Sequence, residues 1–228
     1  MEHQELEEKV IEKPSLIGMI MNPREQFERI RENPKIIVAL LVVTFLTIVG
    51  LLMMVSAMDF IENDPALAGM SEEELLIVSI IGQITFVVIG IFTPVVMISI
   101  TAIIIFILAK IVRSDVSFKQ LFSLGTYAYF ISVLGFLLNG LVMMILKTGD
   151  PETLFTSLNS VVNAEGVLGA LLSNFEVFNI WYLVVLAIGL QVVAKFSKGL
   201  SWSIVIAFFI IGAVFSMAGA AAGSVLGV

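Results

Sequence analysis

Hydrophobic positions along this chain come in long unbroken runs rather than in alternation. Five stretches hold no Lys, Arg, Asp or Glu: residues 36–58, 75–109, 120–146, 177–194 and 199–228. Each is near or above the roughly 20 residues that a helix needs to cross about 30 Å of hydrocarbon. Backbone amides in lipid must find partners within the chain, so a crossing is a helix or a closed barrel, and these runs lack a barrel's period of two. The pattern predicts an all-α, polytopic membrane bundle with five transmembrane helices, at about residues 36–58, 83–109, 120–146, 176–195 and 201–225.

The second run is long enough to be read two ways, as one helix around Pro94 or as a hairpin of two short spans. Charge decides between them. With one span there, eleven of the twelve basic residues, from Lys9 to Lys198, fall on one side and only Lys147 on the other. A hairpin would split them seven against five. Because positive charge is retained in the cytoplasm, the sequence predicts a plasma-membrane protein with its N-terminus inside and its C-terminus outside. The excess length of the second run places its first residues, 75 to about 82, beyond or along the outer surface. Residues 1–13 are polar and carry no secretory leader pattern, so the first span is expected to serve as the insertion signal.

Local signals add short surface helices to this frame. Asn22 before Pro23 is a helix start, since Asn bonds orphan amides and proline has none to lose. A helix over Pro23–Glu32, closed by Asn33 and Pro34, would show Phe27 and Ile30 on one face and charges on the others. Two readings stay open for that face: a docking surface for a partner or for lipid headgroups, or a cap on the chain's own bundle. Residues 1–21 read as an acidic cytoplasmic tail and residues 22–228 as the membrane domain, although Leu16, Ile17, Met19 and Ile20 add apolar area. On the other side, Asp150, Pro151 and Glu152 signal a helix carrying Leu154, Phe155, Leu158, Val161 and Val162. Residues 167–172 form a second short apolar stretch, interrupted by Gly166 and Gly169. Both are predicted to be interfacial or re-entrant. Asp59, Glu62, Asp64 and Glu72 to Glu74 form an acidic loop, read as solvated, with a helix starting at Ser71.

Composition then narrows the chemistry. The chain is 59% hydrophobic and 14% charged, with no Cys, one His (His3) and a net charge of -7. Thiolate or His-cluster metal sites and Cys nucleophiles are excluded, and a nucleic-acid partner is disfavoured. No span holds an ionisable side chain away from its ends, which argues against a proton relay. Hydrolase, zinc-protease and nucleotide-binding motifs are missing, so the chain is read as non-enzymatic and without cofactors. Polar residues at depth are Gln83, Asn139 and Gln191, with Tyr127 and Tyr129; they either line a cavity or bond helices together.

The last run carries small residues at a spacing of four: Gly212, Ser216, Ala220 and Ser224, flanked by Gly219 and Gly223. Such a ridge lets another helix approach closely. That helix belongs either to this bundle or to another chain, a second copy included.

Three segments together carry a resemblance to a known family. They are Asn22-Pro23-Arg24-Glu25-Gln26-Phe27-Glu28-Arg29-Ile30 with Asn33-Pro34, then Val116-Ser117-Phe118-Lys119-Gln120 with Tyr127-Ala128, then Phe175-Glu176-Val177-Phe178-Asn179-Ile180-Trp181 with Gly189 and Ser197-Lys198-Gly199. In order and spacing the chain resembles the Yip1-domain family from about residue 22 onward, with Glu where that family often has Asp at position 176. The resemblance implies a five-span, non-enzymatic membrane protein, and for a bacterial member an accessory role beside an ABC-type exporter, including exporters that protect against toxic or antimicrobial peptides. A permease-like bundle with its own small-solute pathway is the alternative, motivated by Gln83, Asn139, Pro94 and the tyrosines.

Overall fold

The computed structural model describes residues 12–58, 67, 69–147 and 154–226. Asp59, Glu62 and Asp64 of the acidic loop and the Asp150, Pro151, Glu152 helix start lie outside the described residues. Among the described residues the chain forms nine helices. They are α1 (Leu16–Met21), α2 (Pro23–Glu32), α3 (Ile37–Val55), α4 (Glu72–Ile111), α5 (Phe118–Leu146), α6 (Asn159–Val162), α7 (Gly166–Ser173), α8 (Val177–Val192) and α9 (Lys198–Leu226). Four of them, α3, α4, α5 and α9, are long and apolar enough to cross a membrane.

Helix α4 is continuous over 40 residues through Pro94, so the second apolar run is one helix and not a hairpin. Its start at Ser71 is a reciprocal cap in which the serine hydroxyl accepts from the Glu74 N–H and the Glu74 carboxylate accepts from the Ser71 N–H. Those bonds favour the ionised carboxylate and hold the Glu74 pKa below its ordinary value. Ser117 and Gln120 close the same device at the start of α5.

Successive long helices alternate in direction, which gathers Lys110, Arg113, Lys119, Lys195 and Lys198 with α1 and α2 at one end of the bundle and leaves Lys147 at the other. We call these the basic end and the far end. Helix α5 is the centre, packed against α3, α4 and α8. Its glycines set the spacing. A Cβ on Gly135 would stand 2.6 Å from Phe178 Cβ, and one on Gly140 would stand 3.1 Å from the Gly50 carbonyl oxygen.

The segment expected to cross as a single helix over residues 176–195 is built differently. Helix α8 has only 16 residues, about 24 Å at 1.5 Å per residue. Its register is fixed by two contacts, since Gly135 meets Phe178 and Gly189 meets Leu124. Helix α8 therefore begins beside Gly135, eleven residues short of Leu146 at the α5 terminus, which is about 16 Å. Helix α7 supplies the missing height. It lies antiparallel to α9 just above α8, with Gly212 beside Asn174 and the Ser216 hydroxyl donating to the Ala170 carbonyl at 3.2 Å. The two short helices follow one another along α9, broken at Asn174, Phe175 and Glu176. Residues 154–158, expected to be helical, instead form turns and an extended stretch pairing with this break through a Ser157–Glu176 bridge. Only Asn159–Val162 is helical there.

Candidate functional site

A break between helices frees backbone groups that apolar surroundings cannot satisfy, and this break is satisfied from within the chain. The Leu158 N–H donates to the Phe175 carbonyl at 3.1 Å and the Val177 N–H to the Thr156 carbonyl at 3.2 Å. Glu176 does the rest through its side chain. One carboxylate oxygen accepts from the Asn179 N–H at 2.6 Å, capping the first turn of α8, and the other accepts from the Thr156 hydroxyl at 2.5 Å. The Asn139 amide on α5 completes the network, donating to the Thr156 hydroxyl at 3.0 Å and to the Gly135 carbonyl at 2.9 Å.

Glu176 is 7% exposed. Among the described residues no Lys or Arg forms an ion pair with it. Its carboxylate rests on hydrogen bonds and on the positive end of α8.

Two cavities meet at this break. The first, about 780 Å³, lies between α3, α4 and α5; Glu176 and Asn139 line one end, and Thr47, Leu51, Phe86, Thr93 and Phe136 line its walls. Thr85, Ile89 and Thr93 of its wall are exposed, so it opens sideways at the flank of the bundle. The second, about 890 Å³, lies between the α6–α7 segment and α9. Leu154 lines both.

The structure separates the residues that the sequence singled out. Asn139 lines the first cavity. Gln83 donates to the Ser79 hydroxyl one turn back, and Gln191 to the Ala187 carbonyl, so each is satisfied within its own helix. Ser216, Gly219, Ala220, Gly223 and Ser224 of the small-residue ridge line the second cavity, facing α6 and α7 of the same chain. Gly212 and Ser216 are in contact with the α7 end, whereas a Cβ on Gly219 would meet nothing within 4 Å. Phe27 and Ile30 are both 0% exposed. They belong to the chain's own core, where a Cβ on Gly189 would stand 2.9 Å from Phe27 Cζ. The Gln120 amide donates to the Arg31 carbonyl and the Ser123 hydroxyl to the Lys35 carbonyl, which fastens the α2 end to α5. The docking reading of that face gives way to the capping one. Met19 of α1 is buried in the same cluster, and Tyr127 donates to the Pro14 carbonyl at 3.2 Å.

Glu176 is the functional candidate that sequence reasoning passed over. It stands one residue outside an uncharged run and so reads as a boundary marker. The available signal was the Gly166 and Gly169 interruption followed by Asn174 and Glu176, both able to cap a helix start.

The chain matches the Yip1 domain family model over residues 17–220. It is 34% identical over 220 residues to the membrane protein YknW of Bacillus subtilis strain 168, a match covering 95% of this chain and 94% of that protein. No solved structure matches it. A full-length relative and a family model spanning nearly all the described helices agree, and the chain belongs to the Yip1-domain family.

Proposed function

We propose that this protein is a non-enzymatic accessory or scaffold subunit of a multi-component membrane complex. The observation that carries this reading is the overhang of α4. Forty residues make a helix about 60 Å long, and even a 40° tilt leaves about 46 Å to fit a hydrocarbon layer of about 30 Å. Helix α3 meets α4 where Leu51 fills the place of a Cβ on Gly90, and the first cavity accompanies α4 only as far as Gly82. Residues 72–81 run on past that point. They show Leu76, Ile77, Ile80 and Ile81 at 60, 51, 46 and 58% exposure. Fully burying an exposed Leu or Ile is worth about 1.5–3 kcal/mol, and these four are about half exposed, so a partner that packs on this helix gains roughly half of that from each.

Within this proposal α7 and α8 together make the fourth of five crossings, the basic end faces the cytoplasm and the C-terminus lies outside. The absence of Cys from the sequence makes a clean test. In intact cells an impermeant maleimide is expected to label a cysteine placed at Ser224 and not one placed at Ser114; the reverse pattern would overturn the orientation. An ABC-type exporter for toxic or antimicrobial peptides is the partner complex favoured by the family resemblance.

Replacing Leu76, Ile77, Ile80 and Ile81 by Ser is expected to remove a stoichiometric partner from a detergent pull-down while the melting temperature of the isolated protein stays within a few degrees of the parent. An undiminished partner yield would refute the assignment of this face. The first cavity favours a second reading, a permease-like bundle, and solute movement by the purified protein in liposomes would support that instead.

A further inference from the structure

We infer that the cavity between α3, α4 and α5 is a binding site for an amine-headed amphiphile, its cationic head paired with Glu176 and its apolar body lying between the helices. The inference rests on three observations that do not depend on the accessory role. First, a carboxylate is buried at a helix break level with Gly135, well inside the length of the apolar helix α5, with no Lys or Arg of the described residues in ion-pair contact. Buried charges are costly unless paired, and an ionisable group at such depth marks a site whose partner must be named. Here the partner is not found in the described chain.

Second, hydrogen bonding leaves the carboxylate room to accept. Among the described residues each oxygen accepts one bond, from Thr156 or from Asn179, whereas an ionised carboxylate offers about four acceptor positions. A primary ammonium can donate to both remaining positions and keep its third N–H for another acceptor; a head with phosphate or carboxylate and no amine would bring only like charge to the same end. Third, the rest of the cavity is built for an aliphatic body. Leu51, Phe86, Ile89, Val133 and Phe136 line it, and about 780 Å³ falls within the range of small-molecule sites. Its exposed wall at Thr85, Ile89 and Thr93 lies on the lipid side, so a ligand partitioned into the bilayer enters sideways without crossing water.

The test uses the full chain in nanodiscs of phosphatidylcholine, titrated with dodecylamine and read as a rise in melting temperature, with dodecanol as the neutral-headed control. The parent is expected to be stabilised saturably by the amine and not by the alcohol. Glu176→Gln keeps an oxygen for the helix cap and removes the charge, and it is expected to weaken amine binding by about tenfold or more. Ser132→Phe, on the cavity wall, is expected to block the site while leaving Glu176 in place, which covers the case in which the Gln variant folds poorly. Adding phosphatidylethanolamine to the discs distinguishes the source of the head: stabilisation without dodecylamine assigns the site to a lipid amine, and none assigns it to a free amphiphile. Equal amine binding by parent, Glu176→Gln and Ser132→Phe proteins, or equal stabilisation by dodecanol, would overturn the proposal.

Discussion

Replacing Phe27 and Ile30 by Asp is expected to unfold the basic end of the isolated protein, before any partner is considered. Both side chains are fully buried, and Phe27 sits against Gly189 of α8 where that glycine leaves room for its ring. Truncating a buried Phe to Ala costs about 3–5 kcal/mol. Truncating a buried Ile costs about 2–5 kcal/mol, aspartate adds the desolvation of an unpaired carboxylate to either change, and the double variant is expected not to accumulate as a folded protein. The chain's fastening makes the effect spread: α2 is tied to α5 through Gln120 and Ser123, and α1 follows it through the Ser15 N–H donating to Gln26 at 2.8 Å. Melting of the purified single variants in detergent checks this. Variants as stable as the parent that lose only partner capture would restore the docking reading of this face.

The second large effect concerns glycine, and its position runs against the sequence pattern. The repeating ridge on α9 draws attention to Gly219, yet the tight contacts lie on α5. A side chain at Gly135 would place its Cβ 2.6 Å from Phe178 Cβ. That atom is attached directly to the α8 backbone, so relief requires moving α8 rather than turning a rotamer. Gly135→Leu is expected to cost about 3 kcal/mol or more, at the upper end of overpacking penalties. Gly219→Leu enters open space beside the second cavity and is expected to change stability by no more than about 0.5 kcal/mol. Thermal unfolding of the two variants side by side decides it. Equal destabilisation by both would mean that α9 is packed far more closely than this arrangement allows.

What the sequence shows and what it hides follow from the range of the interactions. Helix α2 was legible because Asn22, Pro23 and Asn33 act within a few residues of themselves, and the unbroken α4 because a hairpin there would split the basic residues seven against five. The Ser71 cap was legible for the same local reason. The break between α7 and α8 was not. An uncharged run from Val177 to Ala194 looks like one short span, and the break becomes visible only when residues 154–158 fold back onto residues 175–177, about twenty positions away. Only the family resemblance touches Glu176, because its burial depends on Thr156 and Asn139, which no spacing connects to it. Likewise Phe27 and Ile30 were placed on the correct face of α2, but what covers that face is Gly189 on α8, a contact across most of the chain. Gln83 and Gln191 show the converse. An amide inside an apolar run looks functional, yet a carbonyl or hydroxyl four residues back satisfies each of them.

The accessory reading rests on the far end of α4 as a protein-binding rail, and one measurement addresses that directly. A photoreactive phenylalanine at Ile77 is compared with the same residue at Ile103 in native membranes; the two side chains are 51% and 48% exposed on the same helix, but Ile103 stands within the bundle's length. A discrete protein adduct is expected from Ile77 and not from Ile103. No protein adduct at Ile77, or the same adducts from both positions, would contradict it.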